Sequence, residues 1–193
     1  MTFQLRRILP PAAEPVPLID MKAYLKIDTD TEDSLVSDLI AAARGWVERA
    51  TGRSLISQTW HLLFDSWPSG ATIHLPRPPL QSVSFINVYD SEGVPHGLLA
   101  DSYTVDINED RPRIVFDSPG GRPQPGLKTN GIEIEFLAGY GDLSTDIPEP
   151  LSQAVKLLAA HWYEHREPAD GFAVHAAPHG IEAVVGLYRS VSL

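Results

Sequence analysis

Apolar residues recur at helical spacing near both ends of this chain and alternate with polar residues in between. Val36, Leu39, Ile40, Ala43, Val47 and Ala50 make one stripe, the three-to-four-residue repeat of an amphipathic helix. Thr29, Asp30, Thr31, Glu32 and Asp33 place capping oxygens and acid ahead of it, and Gly52 follows as a stop. A shorter helix, Met21 to Leu25, is expected after Asp20 as its N-cap. Upstream, Ile8 to Pro17 contains four prolines and predicts an extended arm. Towards the other end, Leu151, Ala154, Val155, Leu158 and Trp162 sit at i, i+3, i+4, i+7 and i+11. Pro150 stands in the first turn, where proline is tolerated. Pro168 is the expected stop, Gly171 to Pro178 a loop, and Ile181 to Tyr188 a last short helix.

From Ser57 the period changes to two. Trp60, Leu62 and Phe64 alternate with Thr59, His61 and Leu63. Thr72 to Leu75, Val83 to Val88, Tyr103 to Ile107 and Arg113 to Phe116 are further short strands, separated by turn-forming Gly, Pro, Asp and Asn. Ile132, Ile134 and Phe136 alternate with Glu133 and Glu135, the clearest half-buried strand. Five or six short strands predict an antiparallel sheet or sandwich. The expected fold is α+β. A small helical bundle is made by both chain ends, residues 1–56 (an N-terminal arm and helices) and 148–193, and a β-rich subdomain, residues 57–147, is inserted between its second and third helices.

Composition narrows the function. The 193 residues include 25 acidic and 15 basic side chains, a net charge of −10, which argues against a protein that binds nucleic acid by neutralising phosphates. Residues 57–147 hold 12 acidic and 5 basic residues and carry most of the excess. With no cysteine, disulfide frameworks, thiolate metal sites and cysteine nucleophiles are excluded. The start, Met1 to Arg7, has no apolar core of signal-peptide length, and the longest apolar runs are too short to span a bilayer. A soluble, cytosolic protein is the expectation.

The most tempting chemical motif is His161-Trp162-Tyr163-Glu164-His165, an H-x-x-E-H match. A metal-dependent hydrolase would need both imidazoles on one helical face, a further ligand, and Glu164 polarising a metal-bound water. His175 and His179 repeat the i+4 spacing. Against this, the segment is the polar end of a helix, where histidine is favoured by the helix dipole, and no third-ligand segment follows. Glu133 and Glu135 share a strand face, an arrangement usual for solvated strands. No phosphate-binding glycine loop and no nucleophile elbow is present. Trp46, Trp60, Trp67 and Trp162 read as core or interface residues, because no basic residues interleave with them. The sequence does not read as an enzyme, and no cofactor is expected.

A more specific signal is distributed along the chain. Phe136-Leu137-Ala138-Gly139-Tyr140-Gly141, Ile147-Pro148-Glu149-Pro150-Leu151, Ala154 and Leu157 to Glu164 come in order, followed by Arg166-Glu167. Leu25-Lys26-Ile27-Asp28, Ala41-Ala42-Ala43-Arg44, Thr51-Gly52-Arg53, Ser57-Gln58-Thr59-Trp60 and Tyr188-Arg189 agree with them. Together these segments resemble the head–tail connector (adaptor) proteins of tailed bacteriophages and gene transfer agents. Residues 65–130 are the least distinctive part, and His165 stands where the resemblance is asparagine-like.

The resemblance implies a structural virion protein at the head–tail junction, assembled in the bacterial cytoplasm. Copies form a ring, a dodecamer, below the portal protein, and present a surface to the downstream connector or tail protein. DNA passes only as a duplex in the channel, no membrane is involved, and there are no catalytic residues to carry over. A head-stopper or tail-completion protein of the same particle is the nearest alternative, and a hydrolase using His161, Glu164 and His165 a more distant one. Exposed arms at both ends would gain order on assembly. Acids of the β region, or Glu32, Asp33 and Asp38, would repel DNA phosphates if they lined a channel; acid for solubility is the alternative. For partner contacts the sequence offers the segment from Ile181 to Leu193, with Ile181, Val184, Val185, Tyr188 and Arg189. In the competing reading, Ile181 and Val185 simply close the helical core.

Overall fold

The computed structural model describes residues 3–108, 110–165 and 179–189, with the backbone alone at Pro119 and His179. The expected stop at Pro168, the loop from Gly171 to Pro178, His175 and the last residues, 190–193, lie outside the described residues. The chain divides into two compact units, each with a core of its own: Met1–Pro10 with Ser57–Gly139, and Pro11–Ile56 with Tyr140–Leu193. None of the described helices is long and apolar enough to cross a membrane.

The helical unit contains α1 (Leu18–Leu25), α2 (Asp33–Thr51), α3 (Glu149–Glu164) and α4 (His179–Leu187). The α2 stripe is buried as its spacing predicts: Val36, Ile40, Ala43 and Val47 are at most 1% exposed, and Leu39 and Ala50 pack at the margin. Leu151, Ala154, Val155 and Leu158 of α3 meet them in one core with Met21, Leu55 and Ile56. Gly52 caps α2 in the left-handed conformation (φ 74°) and sends its N–H to the Glu48 carbonyl. The start of α1 differs from expectation. Pro17 precedes the helix, its carbonyl accepts the N–H groups of Asp20 and Met21, and Asp20 lies within the first turn, where acid suits the dipole.

Arg44 forms a buried ion-pair node in this unit. Its Nε lies 2.7 Å from Glu14 and its NH1 3.0 Å from Glu48. Glu48 Oε1 also accepts the Leu55 N–H at 3.0 Å. Burial works against the guanidinium charge, but Glu14 and Glu48 together outweigh it and hold the Arg44 pKa above its ordinary value. The node ties the chain before α1 to α2 and to the segment after it.

The β-rich unit contains β1 (Phe3–Leu9), β2 (Gln58–Phe64), β3 (Thr72–His74), β4 (Leu80–Tyr89), β5 (Pro95–Gly97), β6 (Tyr103–Asp106), β7 (Arg113–Phe116) and β8 (Ile132–Ala138). A five-stranded antiparallel sheet has the order β1-β2-β8-β4-β5, and a three-stranded one the order β3-β7-β6. Trp60, Leu62 and Phe64 from β2, Ile132, Ile134 and Phe136 from β8 and Ile114 and Phe116 from β7 fill one core. Two register shifts in β4, between Leu80 and Ser82 and between Val83 and Phe85, change which side chains face inward. They allow Leu80, Val83 and Ile86 all to reach the core, although strict alternation would not.

Two expectations need correction. The N-terminal segment is not a free arm belonging to the helices: Phe3–Leu9 is a strand of the sheet, paired with β2 from Phe3↔Phe64 to Leu9↔Thr59. Backbone hydrogen bonds to a strand more than fifty residues away order it, a partner that local pattern does not reveal. The boundary at the other end also moves, because Tyr140 leaves the sheet: its N–H bonds to the Leu55 carbonyl, and Ile147 lies in the helical core.

Candidate docking surfaces

The C-terminal segment splits into an inward and an outward face. Ile181 and Val185, four residues apart on α4, are each 2% exposed and belong to the helical core. Val184 and Tyr188 are half-buried against it. The Tyr188 carbonyl accepts the Arg53 Nε–H at 2.7 Å, and Arg189 Nε donates to the Ala50 carbonyl at 3.3 Å. Of the five residues singled out, Ile181 and Val185 thus close the core, as the competing reading had it, and Arg189 alone is exposed. Leu187, which sequence reasoning passed over, is 85% exposed. Helical phase distinguishes it: it lies two residues past the buried Val185 and so points away from the core.

The acids are also sorted by the fold. Glu32 accepts the Tyr163 hydroxyl, and Asp33 with Asp30 holds the Lys22 ammonium, each at 2.6 Å. Of the three acids expected at a channel, Glu32, Asp33 and Asp38, Asp38 alone is exposed. In the β-rich unit Asp90 pairs with His96 at 2.9 Å and Asp106 with Arg113 at 3.0 Å. His96, together with the Val94 and Glu92 N–H groups, keeps the Asp90 carboxyl below its ordinary pKa. Glu92, Asp101 and Asp117 remain exposed.

Glu133 and Glu135, which the sequence placed on one strand face, are bridged there by His61 of β2. His61 Nδ1 is 2.7 Å from Glu133 and Nε2 is 2.7 Å from Glu135. Phe85 presents its ring at 72° to the imidazole, 5.9 Å away. Each imidazole nitrogen thus faces one carboxylate. Tyr89 of β4 donates to the other Glu133 oxygen at 2.6 Å, and that bond pushes the phenol pKa up to about 12. The cluster is an internally satisfied polar face, with both carboxylates engaged. Only strand register brings His61 between them, so the spacing of Glu133 and Glu135 could not disclose it.

The H-x-x-E-H segment forms the end of α3. His165 caps the helix: its backbone N–H and Nδ1 lie 3.1 and 2.8 Å from the His161 carbonyl. The His161 and His165 rings lie 4.4 Å apart, tilted by 38°, and Glu164 is exposed. Among the described residues no group of three or more His, Asp or Glu side chains is placed to hold a metal ion. The four tryptophans lie in or against the two cores, as the sequence reading had it, and two of them also meet arginines: Arg77 lies 5.3 Å from the Trp60 ring and Arg122 5.0 Å from the Trp67 ring. These partners are remote in sequence and serve packing inside the β-rich unit. A shallow cleft of about 220 Å³ between Arg6, Leu63, Tyr89, Leu127, Thr129, Asn130 and Glu133 lies in the same unit.

These are packed cores and exposed surfaces, and comparison with known proteins agrees. The profile of the head completion protein family matches residues 17–191. The chain belongs to that family. Among solved structures it is similar to a chain in the neck of an empty gene transfer agent (GTA) particle computed with C6 symmetry, at 30% identity and a TM-score of 0.81, covering 98% of this chain and 97% of that one. A chain in the virion of a native gene transfer agent particle is similar at 28% identity and a TM-score of 0.81, covering 98% and 96%. One in the neck of a native GTA particle computed with C12 symmetry is similar at 30% identity and 0.74, covering 98% and 97%. No curated protein matches this sequence. The head–tail connector resemblance and the α+β fold are therefore upheld, and the hydrolase alternative is not favoured.

Proposed function

We propose that this head completion protein works as a ring of identical copies at the head–tail junction of a tailed phage or gene transfer agent particle, joining the portal protein to the downstream connector or tail protein. The observation that carries the reading is the match to neck chains over nearly the whole length of both proteins. The twelvefold symmetry of one such neck supports a dodecamer. Such a ring is built from heterologous contacts, so each copy needs two different complementary faces.

The role is structural, with duplex DNA only passing through the channel. A surplus of exposed acid, Asp38, Glu92, Asp101 and Asp117, would keep a phosphate backbone from adhering wherever it faced that duplex. At the C-terminal segment the contact with a partner falls to Leu187 and Arg189, while Ile181 and Val185 hold the segment in place. Leu187 is a large apolar side chain left in solvent, a residue type that gains by burial at an interface. Purified protein mixed with the cognate portal protein and sedimented tests the reading. Co-sedimentation of several copies per portal is expected; failure to bind, or stoichiometric zinc with hydrolytic activity that is lost in His161→Ala, would overturn it.

A further inference from the structure

The two outer edges of the five-stranded sheet are unlike. β5 is three residues long and contains Pro95, which cannot donate a ladder hydrogen bond. Short edges with proline are how proteins discourage further pairing. β1 is seven residues long, and among the described residues no strand pairs with its outer side. Phe3 is 53% exposed, Ile8 39% and Leu9 60%. Such an edge is a template for another strand.

The charge on that edge selects what can use it. Arg6 and Arg7 are exposed in mid-strand, and residues 1–13 contain no acid, in a protein of net charge −10. Two β1 edges brought together would set arginine against arginine, which is destabilising across a strand pair. An acidic edge is the fitting partner, and the same unit carries one. β6 is one of the two outer strands of the three-stranded sheet, with the three-residue β3 at the other edge. From Leu98 to Arg113 the sequence has four acids, Asp101, Asp106, Glu109 and Asp110, against two bases, Arg111 and Arg113. Asp106 is offset by Arg113 at 3.0 Å, and over its whole length the segment keeps a net negative charge. Leu99 and Ile107 beside it are 74% and 60% exposed.

We infer that the β1 edge of one copy is covered by the β6 edge of the next, a basic and apolar strand added to an acidic and apolar one. This rests on the ring reading and supplies its two complementary faces. Repulsion between β1 edges disfavours a closed two-fold dimer and directs association head to tail.

The absence of cysteine makes a crosslinking test clean. Two double variants of the full chain, Leu9→Cys with Ile107→Cys and Phe3→Cys with Ile107→Cys, cover parallel and antiparallel strand addition. Assembled on portal protein and treated with a short bis-maleimide, one of them should give a ladder of covalent oligomers reaching the ring number. Each single-cysteine variant should give none. Arg6→Glu with Arg7→Glu should abolish rings while the far-ultraviolet spectrum and melting temperature stay close to the parent's.

Dimers from Leu9→Cys alone would show β1 meeting β1 and overturn the inference. So would capture of Leu9→Cys by the portal protein, with portal covering the edge. Rings imaged in wild type and in both double variants without any ladder would overturn the inference and leave the ring reading standing. No rings from wild type would remove both.

Discussion

Tyr89 and Glu133 show how one cross-strand bond sets the chemistry of a surface residue. The phenol donates to a carboxylate that His61 already holds, and its pKa is pushed up to about 12. A neutral tyrosine is favoured in the folded state, so this contribution is complete below the ordinary tyrosine value of about 10. It is lost as pH rises from there through 12. Tyrosine-selective NMR titration should find Tyr89 ionising about two pH units above a free tyrosine, and Glu133→Gln should bring it back towards 10. Titration of Tyr89 at the ordinary value in the parent protein would contradict the bond. At Arg44 the expected cost is one of stability. Arg44→Ala removes the buried guanidinium that Glu14 and Glu48 share and should lower unfolding free energy by about 3 kcal/mol in urea. Neither pairing was legible in the sequence except as a list of charges. Glu14 lies thirty positions from Arg44 and His61 more than seventy from Glu133 and Glu135, and only the folded register brings them together.

Among the elements, those with a strong period are legible in the sequence, and the two edge strands β1 and β5 are not. α2 and α3 announce themselves by stripes, and β8 by strict alternation that the burial of Ile132, Ile134 and Phe136 repeats. β1 and β5 carry no such signal: Leu5-Arg6-Arg7-Ile8 does not alternate, and Pro95-His96-Gly97 is wholly exposed. Edge strands are half-solvated and have one hydrogen-bonding neighbour, so the physical pressure for a pattern is weak there. Turn packing was equally hidden. A methyl group at Gly126 would lie 2.2 Å from the Ser91 nitrogen, so the backbone itself must move. Gly126→Ala should cost on the order of 2 kcal/mol or more, read from the thermal midpoint. At the C-terminal helix, truncation after Pro178 should remove two core side chains, Ile181 and Val185, at on the order of 4 kcal/mol. Leu187→Asp should change stability by less than about 0.5 kcal/mol and weaken portal binding. Unchanged stability on truncation would contradict the packed position of α4.

At the scale of the whole chain, the sequence placed the two textures, with helices from both ends and strands between, and the joint at Ile56–Ser57, but not the other two joints. The backbone passes from one unit to the other at Pro10–Pro11, Ile56–Ser57 and Gly139–Tyr140. The first of these joints falls inside the proline-rich stretch that local pattern reads as a single extended arm. Each unit is closed by residues distant in sequence, which is why neither boundary of the strand region marks a simple insertion. The same distance sorts the acids: Asp30 and Asp33 meet Lys22, Glu133 and Glu135 meet His61, Asp90 meets His96 and Asp106 meets Arg113, while others such as Asp38, Glu92, Asp101 and Asp117 are exposed. Satisfied polar clusters, two filled cores and unlike exposed edges are what a subunit that functions by contact requires. Native mass spectrometry of the chain assembled on its portal protein measures that directly. The account predicts one dominant complex carrying a closed ring of about twelve copies; a complex with one copy per portal, or no complex at all, would contradict it.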